Sequence, residues 1–179
     1  MAEEILRPNA DLGDSYWDNV PGTGDDYTTI DEAVLDEDDY VYRENSYSSE
    51  MLAFPNTSLS TGKTINSVTI HGQCLSDNDG DQIRFDINPT GTHRYSGDIA
   101  LGTSYADKSY QWALNPDDSE AWTSDDIDAL VSAGLQTRSI AGTVRCAQLW
   151  IVIDYEEGAP AATNKRPRIM YLNRKRRTT

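Results

Sequence analysis

The chain has 179 residues, a hydrophobic fraction of 37%, and 15 Lys and Arg against 30 Asp and Glu, for a formal charge of −15. That length suits one domain with an extension and suffices for a core without disulfide staples. A pI near 4.3 excludes the whole chain as a general binder of nucleic acid or anionic membranes. No run approaches the roughly 18 uninterrupted apolar residues of a membrane-crossing helix. The acidic start Met1-Ala2-Glu3-Glu4 does not read as a signal peptide.

The average charge conceals a split. Residues 165–179 hold seven bases and no acid, so they carry +7 and the first 164 residues carry −22. The chain therefore reads as an acidic body (1–157), a linker (158–164) and a basic arm (165–179).

In chain order, residues 1 to about 45 are acidic and rich in turn formers. Thr28 to Val34 reads as one short helical turn with Ile30, Ala33 and Val34 on its apolar side, and Tyr40-Val41-Tyr42 as extended. Ser48 to Phe54 reads as a strand stopped by Pro55. Thr64 to Leu75 alternates, with Val68, Ile70, Gly72 and Cys74 on one face and Thr69, His71 and Gln73 on the other. Asp79-Gly80 reads as a hairpin turn. Gln82 to Asn88 alternates again, Ile83, Phe85 and Ile87 opposite Arg84 and Asp86. Tyr95 to Leu101 is a weaker strand, and Ser109 to Asn115 puts Tyr110, Trp112 and Leu114 on one face. A helix is expected over about 124–133, capped by Thr123 with Asp126 closing a capping box, its core side Ile127, Leu130 and Val131, and Gly134 its stop. Leu135 to Ile140 returns as a strand. Val144 to Tyr155 is the strongest, apolar on both faces near its centre. Seven or eight short strands with a single helix favour an all-β, antiparallel β-sandwich of jelly-roll type.

No catalytic motif stands out, and no cofactor is implied. His71 and Cys74 lie three apart on a strand and point to opposite faces, which argues against a shared zinc ion. Asp77-Asn78-Asp79-Gly80-Asp81 resembles the start of a calcium loop, with Asp77, Asp79 and Asp81 as candidate ligands; Asn88 stands where that loop needs Glu, and a polar turn explains the same residues. Cys74 and Cys146 can meet only if their strands pair. Tyr27, Tyr40, Tyr42 and Tyr47 can cover sandwich edges, fill a protein interface or stack on sugars. Trp112, Trp122 and Trp150 are expected in the core. In the arm, Ile169-Met170-Tyr171-Leu172 lies between Lys165, Arg166 and Arg168 and the block Arg174-Lys175-Arg176-Arg177. That pattern suits β-addition to a partner's edge with arginines on carboxylates. Nucleic-acid contact by the arm, through backbone phosphates, is the less favoured option.

The stretch Leu114-Asn115-Pro116, Ala121-Trp122-Thr123, Asp126 to Leu130, Gly134-Leu135 and Gly142 to Tyr155 resembles the C-terminal half of a jelly-roll-like module of bacteriophage structural proteins and some bacterial surface proteins. Leu6 to Asp11 and Ile30 to Ala33 are similar to its N-terminal part, so the resemblance spans about residues 6–155. It implies a non-enzymatic virion protein, with no catalytic residues to carry over. The expected function is a capsid decoration or cement protein, oligomeric, whose arm anchors it to the major capsid protein or neighbouring virion subunits, made in the host cytoplasm and located in the virion. The alternatives are a tail, neck or fibre component, or a carbohydrate-binding module for host attachment.

Overall fold

The computed structural model describes residues 1–12, 16–22, 25–44, 46–60, 62–138 and 141–157. The linker and arm expected over 158–179 lie outside the described residues. Among those described, no helix is long and apolar enough to cross a membrane.

The elements run β1 (Ala2–Leu6), β2 (Ala10–Asp11), β3 (Asp18–Val20), α1 (Tyr27–Ile30), β4 (Tyr40–Glu44), β5 (Ser49–Ala53), β6 (Thr64–Ser76), β7 (Gln82–Asn88), β8 (Arg94–Tyr95), β9 (Ile99–Ala100), β10 (Ala106–Trp112), α2 (Ser124–Asp128), β11 (Ser132–Thr137) and β12 (Thr143–Glu156). They form two antiparallel six-stranded sheets. One has the order β10-β6-β12-β4-β3, with β1 also on β12; the other has β2-β5-β11-β7-β8, with β9 also on β7. Strands β4-β12-β6-β10 of the first sheet interleave in sequence with β5-β11-β7-β8 of the second, which is the jelly-roll arrangement.

The alternating strands place their apolar sides inward as expected. Ile83, Phe85 and Ile87 of β7 and Leu135 of β11 face Val68, Ile70 and Cys74 of β6 and Leu149, Ile151 and Ile153 of β12, all fully buried in one core. Trp122 closes the side of this core and donates its indole N–H to the Trp112 carbonyl at 3.0 Å. Trp150 differs from expectation. It faces outward on β12, half-buried, and stacks on His71 with ring centroids 5.0 Å apart. Cys74 and Cys146 are directly opposed across β6 and β12, both buried and both free thiols. Their hydrogen bond and their burial push the Cys74 thiol well above its usual range.

Four local expectations are corrected. The helix of 124–133 is a single turn: the Thr123 box with Asp126 forms as expected, but the helix ends at Asp128 and Val131 is exposed. Residues 132–134 are drawn instead into β11, joining the strand expected from Leu135, and β11 pairs on both sides, with β5 and β7. Ladder bonds to two strands outweigh a few residues of helix propensity. Gly134 is thus no helix stop. A Cβ there would stand 1.8 Å from the Glu50 carbonyl oxygen, so glycine is what lets β11 approach β5. The turn of 28–34 shortens to α1 with only Ile30 buried fully, while Val34 is exposed. Asp79-Gly80 does not close a hairpin, because β6 and β7 belong to different sheets. It turns a corner between them, with Gly80 at φ +92°. The irregular N-terminal third also holds strands, of which β1 pairs along β12 from Ala2↔Tyr155 to Leu6↔Ile151.

Gly134→Ala forces backbone against backbone at the centre of the second sheet. We expect it to lower stability by about 2–3 kcal/mol, read as a lower urea midpoint with an unchanged slope. A midpoint equal to that of the parent would mean that β5 and β11 stand further apart than described.

Candidate functional site

Inner faces of both sheets are spent on the core, so function falls to the outer faces and the loops. On the second sheet the register sets the outer residues side by side. Ser49 of β5, Gln136 of β11 and Arg84 of β7 form one row; Met51, Gly134, Asp86 and Tyr95 of β8 form the next. Neighbouring strands stand about 4.8 Å apart, so such a row is roughly 10–15 Å wide.

Two hollows lie on this face. One, of about 560 Å³, is lined by residues including Tyr16, Met51, Asn88, His93, Tyr95 and Ser132. The other, of about 350 Å³, is lined by Tyr16, Arg43, Tyr47, Ser48, Ser49 and Gln136. They share Tyr16 and Ser49 and so form one groove across the sheet. Its rings are unusually open: Tyr16 is 63%, Tyr47 68% and Tyr95 40% exposed. Two of the rings, and the backbone of the third, are held by neighbours. The Arg84 guanidinium lies 3.5 Å from the Tyr95 ring centre, and His93 stacks beside that ring at 6.1 Å and 11°. The Arg138 guanidinium lies over Tyr47 at 5.3 Å. Arg43 donates to the Tyr16 carbonyl.

Beneath the rings lies a polar floor with hydrogen-bonding capacity in reserve. Gln136 donates its amide N–H to Ser49 at 2.9 Å. Its carbonyl oxygen, the Asn88 side-chain oxygen, the Ser48 hydroxyl and the Arg84 Nε are buried and have no hydrogen-bond partner among the described residues. Groups like these are ordinarily satisfied, and a concave cluster of them is where a polar ligand or water is bound. Asp86 is fully buried, with one oxygen 2.7 Å from His93 Nδ1. Burial pushes its carboxyl up to about 6, against the opposing pull of His93 and Arg84.

The first sheet carries a smaller hollow of about 220 Å³, lined by Val20, Tyr40, Tyr42, Glu44, Thr143 and Arg145. Arg145 lies over Tyr40 at 5.1 Å, and Tyr40 meets Tyr42 edge to face. Nearby, burial pushes the Tyr105 hydroxyl far above its usual range.

Of the four tyrosines singled out in the sequence, Tyr47 lies in the groove; Tyr40 and Tyr42 line the smaller hollow, and Tyr27 packs half-buried against the core. The candidate calcium ligands do not converge. Asp81 is buried and both its oxygens are occupied: Asn78 and the Ala141 N–H donate to one, Ser76 and the Gly142 N–H to the other. Burial opposes the charge, but these bonds hold the Asp81 carboxyl below its usual range. Asp77 accepts the Thr143 N–H at 2.6 Å, and Asp79 is exposed. The reading as a calcium loop gives way to a corner clasp that ties the β6–β7 turn to the entry of β12. Among the described residues no three His, Cys, Asp or Glu gather as a metal group. Lys165, Arg166, Arg168, Ile169, Met170, Tyr171, Leu172, Arg174, Lys175, Arg176 and Arg177 lie outside the described residues.

No protein-family model and no curated protein matches the chain. Solved structures similar to it include three carbohydrate-binding modules. The C-terminal CBM6 of LamC, a marine laminarinase of Zobellia galactanivorans, is 12% identical over 86% of this chain and 100% of that one, with TM-score 0.43. CBM6cm-2 of Cellvibrio mixtus lichenase 5A, in complex with cellotriose, is 12% identical over 86% and 98%, with TM-score 0.39. The CBM36-1 domain of a multidomain xylanase from the hindgut metagenome of Trinervitermes trinervoides is 12% identical over 88% and 100%, with TM-score 0.38. The expectation of a bacteriophage capsid decoration protein is corrected here: these neighbours carry the name of one of its alternatives, the carbohydrate-binding module, and not that of a virion protein. At this level of similarity no residue-by-residue correspondence is drawn, and the site stands on its own geometry.

Asp86 gives the groove a pH signature. An acid whose pKa is raised on folding opposes the fold once the pH exceeds that pKa, and costs nothing below its ordinary value near 4. Asp86→Asn should therefore raise stability at pH 8 by up to about 3 kcal/mol and leave it unchanged at pH 4. Thermal melts at the two pH values check this. An equal loss at both would mean that the contact with His93 matters more than the buried charge.

Proposed function

We propose that the protein is a non-enzymatic carbohydrate-binding module and that the groove on the outer face of the second sheet is its ligand site. The observation that carries this reading is the combination of open tyrosine rings, Tyr16, Tyr47 and Tyr95, with unspent polar groups on the floor between them. A pyranose ring presents an apolar face of C–H groups and an equatorial belt of hydroxyls. Rings that are wide, rigid and amphipathic cover the former; amides and hydroxyls such as Gln136, Asn88 and Ser48 meet the latter. An open groove wider than one sugar suits a chain rather than a monosaccharide. The similar solved structures, several of them carbohydrate-binding modules, agree with this reading without locating the site.

The groove is equipped for holding rather than for reaction. Glycoside hydrolysis needs two carboxyl groups flanking the bond. Here Asp86 lies under the floor, tied to His93.

Affinity electrophoresis through gels containing plant, algal and bacterial polysaccharides tests the proposal. At least one polysaccharide should retard the full chain. Tyr95→Ala and Tyr47→Ala should each weaken that retardation roughly tenfold, as loss of a stacking ring does, without changing the melting temperature appreciably. Retardation by no polysaccharide, or by the same one equally in parent and variants, would remove this groove as a sugar site.

A further inference from the structure

The charge of the groove goes beyond sugar binding as such. The first 164 residues hold eight bases against thirty acids, so a surface patch chosen without bias would be acidic. Yet among the described residues no Asp or Glu lines either hollow; the nearest acids are the buried Asp86 beneath the rings and the exposed Asp98 beside Arg138. Three of the eight bases stand there instead. Arg43 lines the groove, Arg84 lies on the Tyr95 ring and Arg138 on the Tyr47 ring. Arg43 and Arg84 form no ion pair among the described residues, and Arg138 shares only the exposed Asp98, at 3.3 Å. Asp86, two residues along the same strand, attracts Arg84 through space but makes its direct contact with His93.

We infer that this groove selects polysaccharides bearing anionic groups, carboxylates or sulfates, over neutral ones; the inference rests on the groove being a sugar site. A neutral chain stacked on Tyr95 would strip water from the Arg84 guanidinium and return no countercharge, which is costly for an unpaired ion. An anionic substituent on the same chain offsets that loss. Guanidinium forks take carboxylate or sulfate oxygens in pairs, and stacking on a ring holds the fork in place before the ligand arrives. Arg84 ends the Ser49–Gln136–Arg84 row on β7, and Arg43 lines the hollow that Ser49 and Gln136 share, so successive charged units of one chain can meet both. The body's own charge does not prevent this, since exposed charges are screened beyond roughly 8 Å at physiological ionic strength.

The test uses the full chain and matched pairs: polygalacturonate against its methyl ester, and dextran sulfate against dextran. Affinity is measured by calorimetry or affinity electrophoresis for the parent, Arg84→Gln, Arg43→Gln and the double variant. The expected result is at least tenfold tighter binding of one charged member than of its neutral partner, reduced about tenfold in the double variant. The two pairs tell carboxylate from sulfate. Neutral members bound as tightly as charged ones overturn the inference and leave the groove a sugar site. Charged members bound equally by parent and double variant overturn it too, placing the attraction elsewhere on the chain, as at the bases of 165–179. Binding of no polysaccharide, charged or neutral, overturns the sugar site itself and this inference with it.

Discussion

The antiparallel pairing of β6 with β12 is the constraint on which the rest depends. The two strands run together from Val144↔Ser76 to Glu156↔Thr64, with irregularities at Cys146/Gln148 and Asp154/Tyr155. Side chains alternate along a strand, so a slip of one residue would send Ile70, Cys74, Ile151 and Ile153 to solvent. The core therefore fixes this register, and the register fixes the strands around it. β10 adds outside β6, and β1 and β4 add outside β12. The Asp81 clasp then sets where the chain leaves the first sheet and β7 begins. Once β7 is placed with Ile83, Phe85 and Ile87 inward, Arg84, Asp86 and Asn88 have only the outer face left.

That outer face is where the structure departs from a simple sandwich. Outward residues of an antiparallel sheet are ordinarily solvated and charged. Here Asp86 is fully buried on the outer side, roofed by Tyr95 and His93, and Gly134 lets the strands crowd beside it. The cost of holding Asp86 and several amide oxygens away from water is tolerated where a ligand can use the arrangement. Among the described residues, the outer side of the first sheet offers the Trp150–His71 stack and a smaller hollow beside Arg145.

Much of the fold was legible because it depends on alternation. β6, β7 and β12 follow from period-two patterns that tolerate little else, and the sandwich follows from their number. Elements that depend on pairing were not legible. β11 was legible from Leu135, but it also takes Ser132 and Ala133, which read as helix, because two neighbouring strands supply ladder bonds that no local pattern announces. β1 is invisible as five residues, Ala-Glu-Glu-Ile-Leu, and becomes a strand only beside β12. The site divides in the same way. Arg84, Asp86 and Asn88 on one face were implicit in the alternation of β7. Their meeting with Tyr16, Tyr47 and Tyr95 comes from segments up to some eighty residues apart, and no motif marks it. The acidic average charge also concealed it, because a groove edged by Arg43, Arg84 and Arg138 is a local property that an average cannot carry.

If the groove over β5, β11 and β7 is the surface that holds a polysaccharide, its residues must respond together to a sugar chain. Amide chemical-shift mapping during titration with trigalacturonate and with cellotriose reads this directly. At least one of them should shift Tyr16, Tyr47, Arg84, Tyr95 and Gln136 together while Tyr40, Tyr42 and Arg145 stay still. Shifts confined to those last three, or to residues 165–179, would contradict a sugar site in this groove.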